Sequence, residues 1–70
     1  MDLQTTVTAA EADDPATALH AVASLRGLAD QLERNAVVRA RIAGWSWREV
    51  GAALGVSGQA AHKKHRRDVP

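Results

Sequence analysis

The sequence predicts an all-α fold of three helices, one long and two short, and three observations carry that expectation. Of its 32 apolar residues, 15 are alanine, the strongest helix former and a poor strand residue. Between Leu19 and Ile42 the larger apolar residues recur at spacings of three, four or six, the period of a helical stripe. Two glycines, Gly44 and Gly55, are each followed within two residues by a serine suited to start a new helix.

The elements follow in chain order. Residues 1 to 13 are small and polar, with Asp2, Glu11 and Asp13, and are expected to form a disordered acidic tail. Asp14-Pro15 is a helix start: the Asp14 carboxylate can accept from orphan N–H groups, and proline suits the first helical position because its missing N–H is not needed there. Residues 14 to 44 should then hold one long helix, with Leu19, Val22, Leu25, Leu28, Leu32, Val38 and Ile42 on its apolar stripe. It should stop at Gly44, after Arg39 and Arg41 near the negative end of the helix dipole.

The segment 45 to 70 opens on the strongest local signal. Ser46 stands three residues before Glu49, the spacing of a capping box, while Trp45 and Val50 occupy the positions of a hydrophobic staple. A second helix therefore opens at Trp47 and closes at Gly55, and Ser57 caps a third that ends near Arg67. Two short helices joined by a three-residue turn make a helix-turn-helix. Gly51 supplies the small residue such a crossing needs, and Val50, Leu54, Val56 and Ala61 are expected to pin the pair together.

The stretch Trp45 to Arg67, WSWREVGAALGVSGQAAHKKHRR, resembles the helix-turn-helix of sigma-factor region 4 and of short actinobacterial DNA-binding regulators. In those proteins an aromatic-Ser-aromatic start precedes the first helix, a Leu-Gly-Val/Ile-Ser turn follows, and a basic recognition helix enters the major groove. The resemblance covers about a third of the chain and implies binding to double-stranded DNA, in transcriptional regulation or as a nucleoid-associated protein. Lys64 and His65 stand where such motifs bring a further apolar residue, so the end of the third helix is anchored if the His65 imidazole packs inward.

Charge distribution agrees with a nucleic-acid partner although the net charge is only +1. Residues 1 to 35 carry Arg26 and Arg34 against six carboxylates, a net of −4; residues 36 to 70 carry seven cations against Glu49 and Asp68, a net of +5. Cations gathered there can neutralise phosphates and release counterions. Helical geometry puts Ser57, Gly58, Gln59, His62, Lys63 and Arg66 on the face away from Ala61. Gln59 can pair with N6 and N7 of adenine, and Lys63 can donate to guanine O6 or N7. Lys64, Arg66, Arg67 and Arg48 are expected to contact phosphate.

If residues 15 to 43 form one helix, it is about 43 Å long and the two short helices span about 15 Å each. They can cover Val37, Val38 and Ile42. Leu19, Val22, Leu25, Leu28 and Leu32 are left for another partner, for which a homodimer is the simplest solution. A bend near Gly27 or Asn35 would instead fold the first part back as a separate helix. A protein-interaction module, docking a partner such as a polymerase subunit through the leucine stripe, is the alternative reading.

Other functions find little support. No run approaches the roughly 18 apolar residues of a membrane span, and Met1 to Thr6 lacks the pattern of a signal peptide, so a cytoplasmic, nucleoid-associated protein is expected. Ser24, Ser46 and Ser57 have no nearby His plus carboxylate, no phosphate loop is present, and an enzyme is not expected. His62 and His65 lack a third ligand at metal-binding spacing, so no metal or cofactor is expected. Trp45 and Trp47 could offer a stacking platform for single strands, but staple and core roles account for both more simply.

Overall fold

A computed structural model describes residues 2 to 69 and contains four helices: α1 Leu3–Ala10, α2 Pro15–Ile42, α3 Trp47–Leu54 and α4 Gly58–His65. No strand occurs among the described residues. The chain divides into two compact units, one up to Gln31 and one from Leu32 onward. The helix α2 runs without a break through Gly27 and Asn35.

In the first unit, α1 replaces the expected disordered tail, which is the main correction to the sequence reading; Met1 lies outside the described residues. The Asp2 carboxylate caps α1, accepting from the Gln4 N–H at 3.0 Å and the Thr5 hydroxyl at 2.8 Å. Thr6 and Thr8 donate their hydroxyls to the carbonyls of Asp2 and Gln4, each at 3.0 Å. These bonds satisfy the two hydroxyls within the helix itself, at a slight cost to its ladder. Leu3, Val7 and Ala10 fall at i, i+4 and i+7, an apolar row too short to stand out as a period.

The start of α2 is as its cap residue dictates. Asp14 accepts from the Thr17 N–H at 3.0 Å and from its hydroxyl at 2.6 Å, and Pro15 occupies the first helical position. Ala21 is buried, and the α1 residues Thr5, Thr6 and Ala9 share a shallow groove with Thr17, His20 and Ser24 of α2.

In the second unit, the end of α2 packs with α3 and α4 around Val37, Val50 and Ala61, with Ala40, Trp47 and Val69 against them. Both glycine stops are closed in the same way. Gly44, at φ +92°, lets its own N–H reach the Arg41 carbonyl at 3.0 Å and the Trp45 N–H reach that of Ala40 at 3.0 Å. Gly55, at φ +77°, does the same with Ala52 at 3.3 Å and, through Val56, with Gly51 at 2.9 Å. These are Schellman closures, which need a residue without Cβ in the left-handed region.

The burial pattern corrects several expectations. Val37 and Ala40 face the core, so the adjacent face with Ile42 points outward, and Ile42 is 74% exposed. Val38 is half-buried and outside the core cluster. Leu54 and Val56 flank the turn but remain exposed, leaving Val50 and Ala61 to hold α3 and α4 together.

Gly51 and Gly27 make opposite predictions. A Cβ on Gly51 would lie 2.7 Å from the backbone of Val56 and Ser57, whereas a Cβ on Gly27 would meet nothing within 4 Å. Gly51→Ala should lower the thermal midpoint by about 10 °C, the scale of overpacking a tight contact in a small domain. Gly27→Ala should raise stability by about 0.5–1 kcal/mol through helix propensity. Thermal and urea unfolding followed by circular dichroism checks both.

Candidate nucleic-acid interface

Hydrogen bonds at the helix starts fix the α3–turn–α4 segment. Ser46 and Glu49 form the full capping box: the Ser46 N–H donates to Glu49 Oε1 at 3.0 Å, and the Glu49 N–H donates to Ser46 Oγ at 3.1 Å. The Ser46 backbone N–H, followed by its hydroxyl, holds the Glu49 carboxyl below the usual carboxylate range. At the head of α4, Ser57 Oγ accepts from the Ala60 N–H at 3.0 Å. Ser57 thus works first as a cap, with its side-chain oxygen occupied.

Gly58 departs from its expected place on the outward face. A Cβ there would stand 3.0 Å from Arg48 N and Cα and 3.2 Å from the Trp47 carbonyl carbon. Its missing side chain therefore allows α4 to begin directly against the first turn of α3. Gly58, Ala61 and His65 form the inward stripe of α4, at spacings of three and four. Gln59, Lys63 and Arg66, at i, i+4 and i+7, are exposed on the opposite side, and Arg67 and Arg48 are exposed as well.

His62 and Lys64 are both engaged within the protein. The His62 ring lies 5.1 Å from that of Trp47, tilted by 55°, and the Arg41 guanidinium lies 4.9 Å from the Trp47 ring centroid. Arg41 also donates to the Trp45 carbonyl, which ties the end of α2 to the approach to α3. Trp47 is thus part of the support of the motif. The Lys64 side chain, though largely exposed, pairs through Nζ with Glu33 Oε2 at 2.9 Å.

His65 packs inward and is the largest fully buried side chain, 1% exposed. Its Nε2 lies 2.6 Å from Glu33 Oε2 on α2, and its Nδ1 lies 2.9 Å from Asp68 Oδ2. Each ring nitrogen thus stands within hydrogen-bond distance of a carboxylate oxygen. The hydrogen bond from Lys64 holds the Glu33 carboxyl below the usual carboxylate range; partial burial opposes this, and His65 adds to it.

Sequence reading missed Glu33 and Arg41 as supports of this segment. The Glu33–His65 contact spans 32 residues, and no local spacing rule reports it. Among the described residues no group of three or more His, Cys, Asp or Glu is placed to hold a metal ion, and no helix is long and apolar enough to cross a membrane. No protein-family model, curated protein or solved structure matches the chain.

Because the folded state favours the ionised Glu33, the stability it contributes is full above the unfolded-state value of about 4.3 and is lost as pH falls through the lower folded-state value. Glu33→Gln should cost about 2 kcal/mol at pH 7, the scale of charge-assisted hydrogen bonds to a buried group. It should also flatten the acid limb of the stability profile, as read by urea unfolding from pH 7 down to pH 3.

Proposed function

We propose that the chain binds double-stranded DNA, with α4 entering the major groove as a recognition helix, in a small regulator or nucleoid-associated protein. One observation carries the reading. Gly51 and Gly58 hold α3, the turn and α4 in backbone-close contact, while Gln59, Lys63 and Arg66 stand exposed along the side of α4 away from that contact. This is the division of labour in a helix-turn-helix, one face packed and the other free for a groove.

Gln59 and Lys63 read base edges, while Arg66, Arg67 and Arg48 bind phosphate. Lys64, turned toward Glu33, serves the packing of α4 more than the DNA. Lys63→Ala combined with Arg66→Ala should weaken binding to random duplex and, through the lost Arg66 phosphate contact, reduce the slope of log affinity against log salt by about 1. Fluorescence anisotropy across a KCl series reads both, and an unchanged affinity and slope would sink the proposal.

We propose further that two copies associate through α2. Leu19 is exposed, Val22, Leu25 and Leu28 are only half-buried, and Leu32, at the start of the second unit, is exposed. An apolar row of this kind marks an interaction surface, and a two-fold pair would offer two recognition helices to two half-sites. Docking of another protein on the same row is the second reading, favoured by the same exposure. Sedimentation should give twice the 7.4 kDa chain mass, and Leu25→Glu should return the chain to a monomer; a wild-type chain that stays monomeric at high concentration contradicts the dimer.

A further inference from the structure

The second unit carries an apolar groove of about 370 Å³ between the end of α2 and α3. Ala40, Ala43, Trp45, Ala53 and Leu54 form its walls, and Arg39 supplies a positive charge at its edge. Alanines make the walls low, so there is room for branched side chains from outside. The α3–α4 contact does not use this space, since Leu54 and Trp45 remain partly exposed beside it. A groove of this shape takes an amphipathic helix with one or two apolar anchors.

A helix of matching chemistry is present in the chain itself. On α1, Leu3 is 55% exposed and Val7 is 40% exposed, one turn apart on the same side. The side chains that flank this row carry only negative charge: Asp2 precedes α1, Glu11 and Asp13 follow it, and no lysine or arginine occurs before Arg26. Arg39 is the charged residue that lines the groove, while α1 lies in the half of the sequence that carries −4. Two identical chains related by a two-fold axis would satisfy this complementarity twice.

We infer that the groove is a docking site for α1 of a second copy of this chain, with Leu3 and Val7 seated among the alanines and the acidic flank facing Arg39. The inference deepens the proposed self-association by naming a second contact, and it is independent of the leucine row on α2. The N-terminal helix, apolar along Leu3 and Val7 and flanked by Asp2 and Glu11, thereby acquires a role, since the α1 of each copy helps to hold the other.

Complementation between full-length variants tests it. Leu3→Asp with Val7→Asp spoils α1 and leaves the groove intact; Leu54→Asp spoils the groove and leaves α1 intact. Each should raise the dimer dissociation constant by at least about tenfold, since an ionised carboxylate would have to be desolvated against alanine. Sedimentation equilibrium of the two variants mixed should show stronger association than either alone, because the mixed pair retains one intact α1–groove contact. Arg39→Glu, an exposed substitution, should weaken association similarly and provides a groove variant that does not touch the α3 terminus. Circular dichroism confirms that each variant is folded.

Variants of α1 and groove that associate like the wild type, or a mixture no stronger than its components, would overturn the inference. Leu25→Glu separates it from the broader reading. If only Leu25→Glu dissociates the chain, the leucine row stands and the groove contact falls; if only the α1 and groove variants do, the reverse holds. A wild-type chain that remains monomeric removes both and leaves DNA binding to its own test.

Discussion

The contact on which the rest of the second unit depends is the approach of the α3 backbone to the turn that follows it. Gly51 lies so close to Val56 and Ser57 that a single added methyl would stand 2.7 Å from their backbone. That approach brings Ala61 onto Val50 and Val37 and puts Gly58 against the first turn of α3. With so little side-chain volume at the crossing, α4 is located by backbone proximity more than by large apolar side chains. The chain has no Phe or Tyr, and the few larger residues near the turn, Leu54 and Val56, are exposed.

A small core leaves the far end of α4 in need of a second anchor, and His65 provides it. An apolar residue there would hold the helix by burial alone, at roughly 25 cal/mol per Å². The imidazole instead fills the space and joins α2 to the C-terminal turn through Glu33 and Asp68. Such an arrangement is directional, so it fixes the rotation of α4 about its own axis as well as its position. The rotation matters because it determines which side chains face outward: Gln59, Lys63 and Arg66 are exposed while His65 is buried. The ion pair that steadies α4 also diverts Lys64 toward Glu33. The charge of the basic half is thus divided between holding the helix and presenting it.

Much of this was legible in the sequence, for a physical reason. Asp14-Pro15, Ser46 with Glu49, and Ser57 satisfy N–H groups three residues away, so their spacing reports the hydrogen bonds directly. Gly44 and Gly55 likewise declare their positive φ. What depended on tertiary direction was harder to read. Ile42 belongs to the periodic stripe, yet the adjacent row with Val37 and Ala40 turned inward, because the choice of face is made by the elements that follow. Helix α1 has no clear signal in composition, because its threonines read as polar coil whereas their hydroxyls are bonded within the helix and Asp2 caps its start. Gly58 was placed on the outward face by helical spacing, whereas its lack of a Cβ serves the contact with α3. The Glu33–His65 pair spans two helices and has no local signature.

The central claim is that the outward side of α4, held in this rotation by Gly51 and His65, is a surface for duplex DNA. Titration of an isotope-labelled full-length chain with a random duplex, followed by amide and side-chain chemical shifts, tests it most directly. The account predicts the largest changes at Gln59, Lys63, Arg66 and Arg67 and at Arg48, fading as salt is raised. Shifts confined to α1 and the first part of α2, or none at low salt, would contradict it.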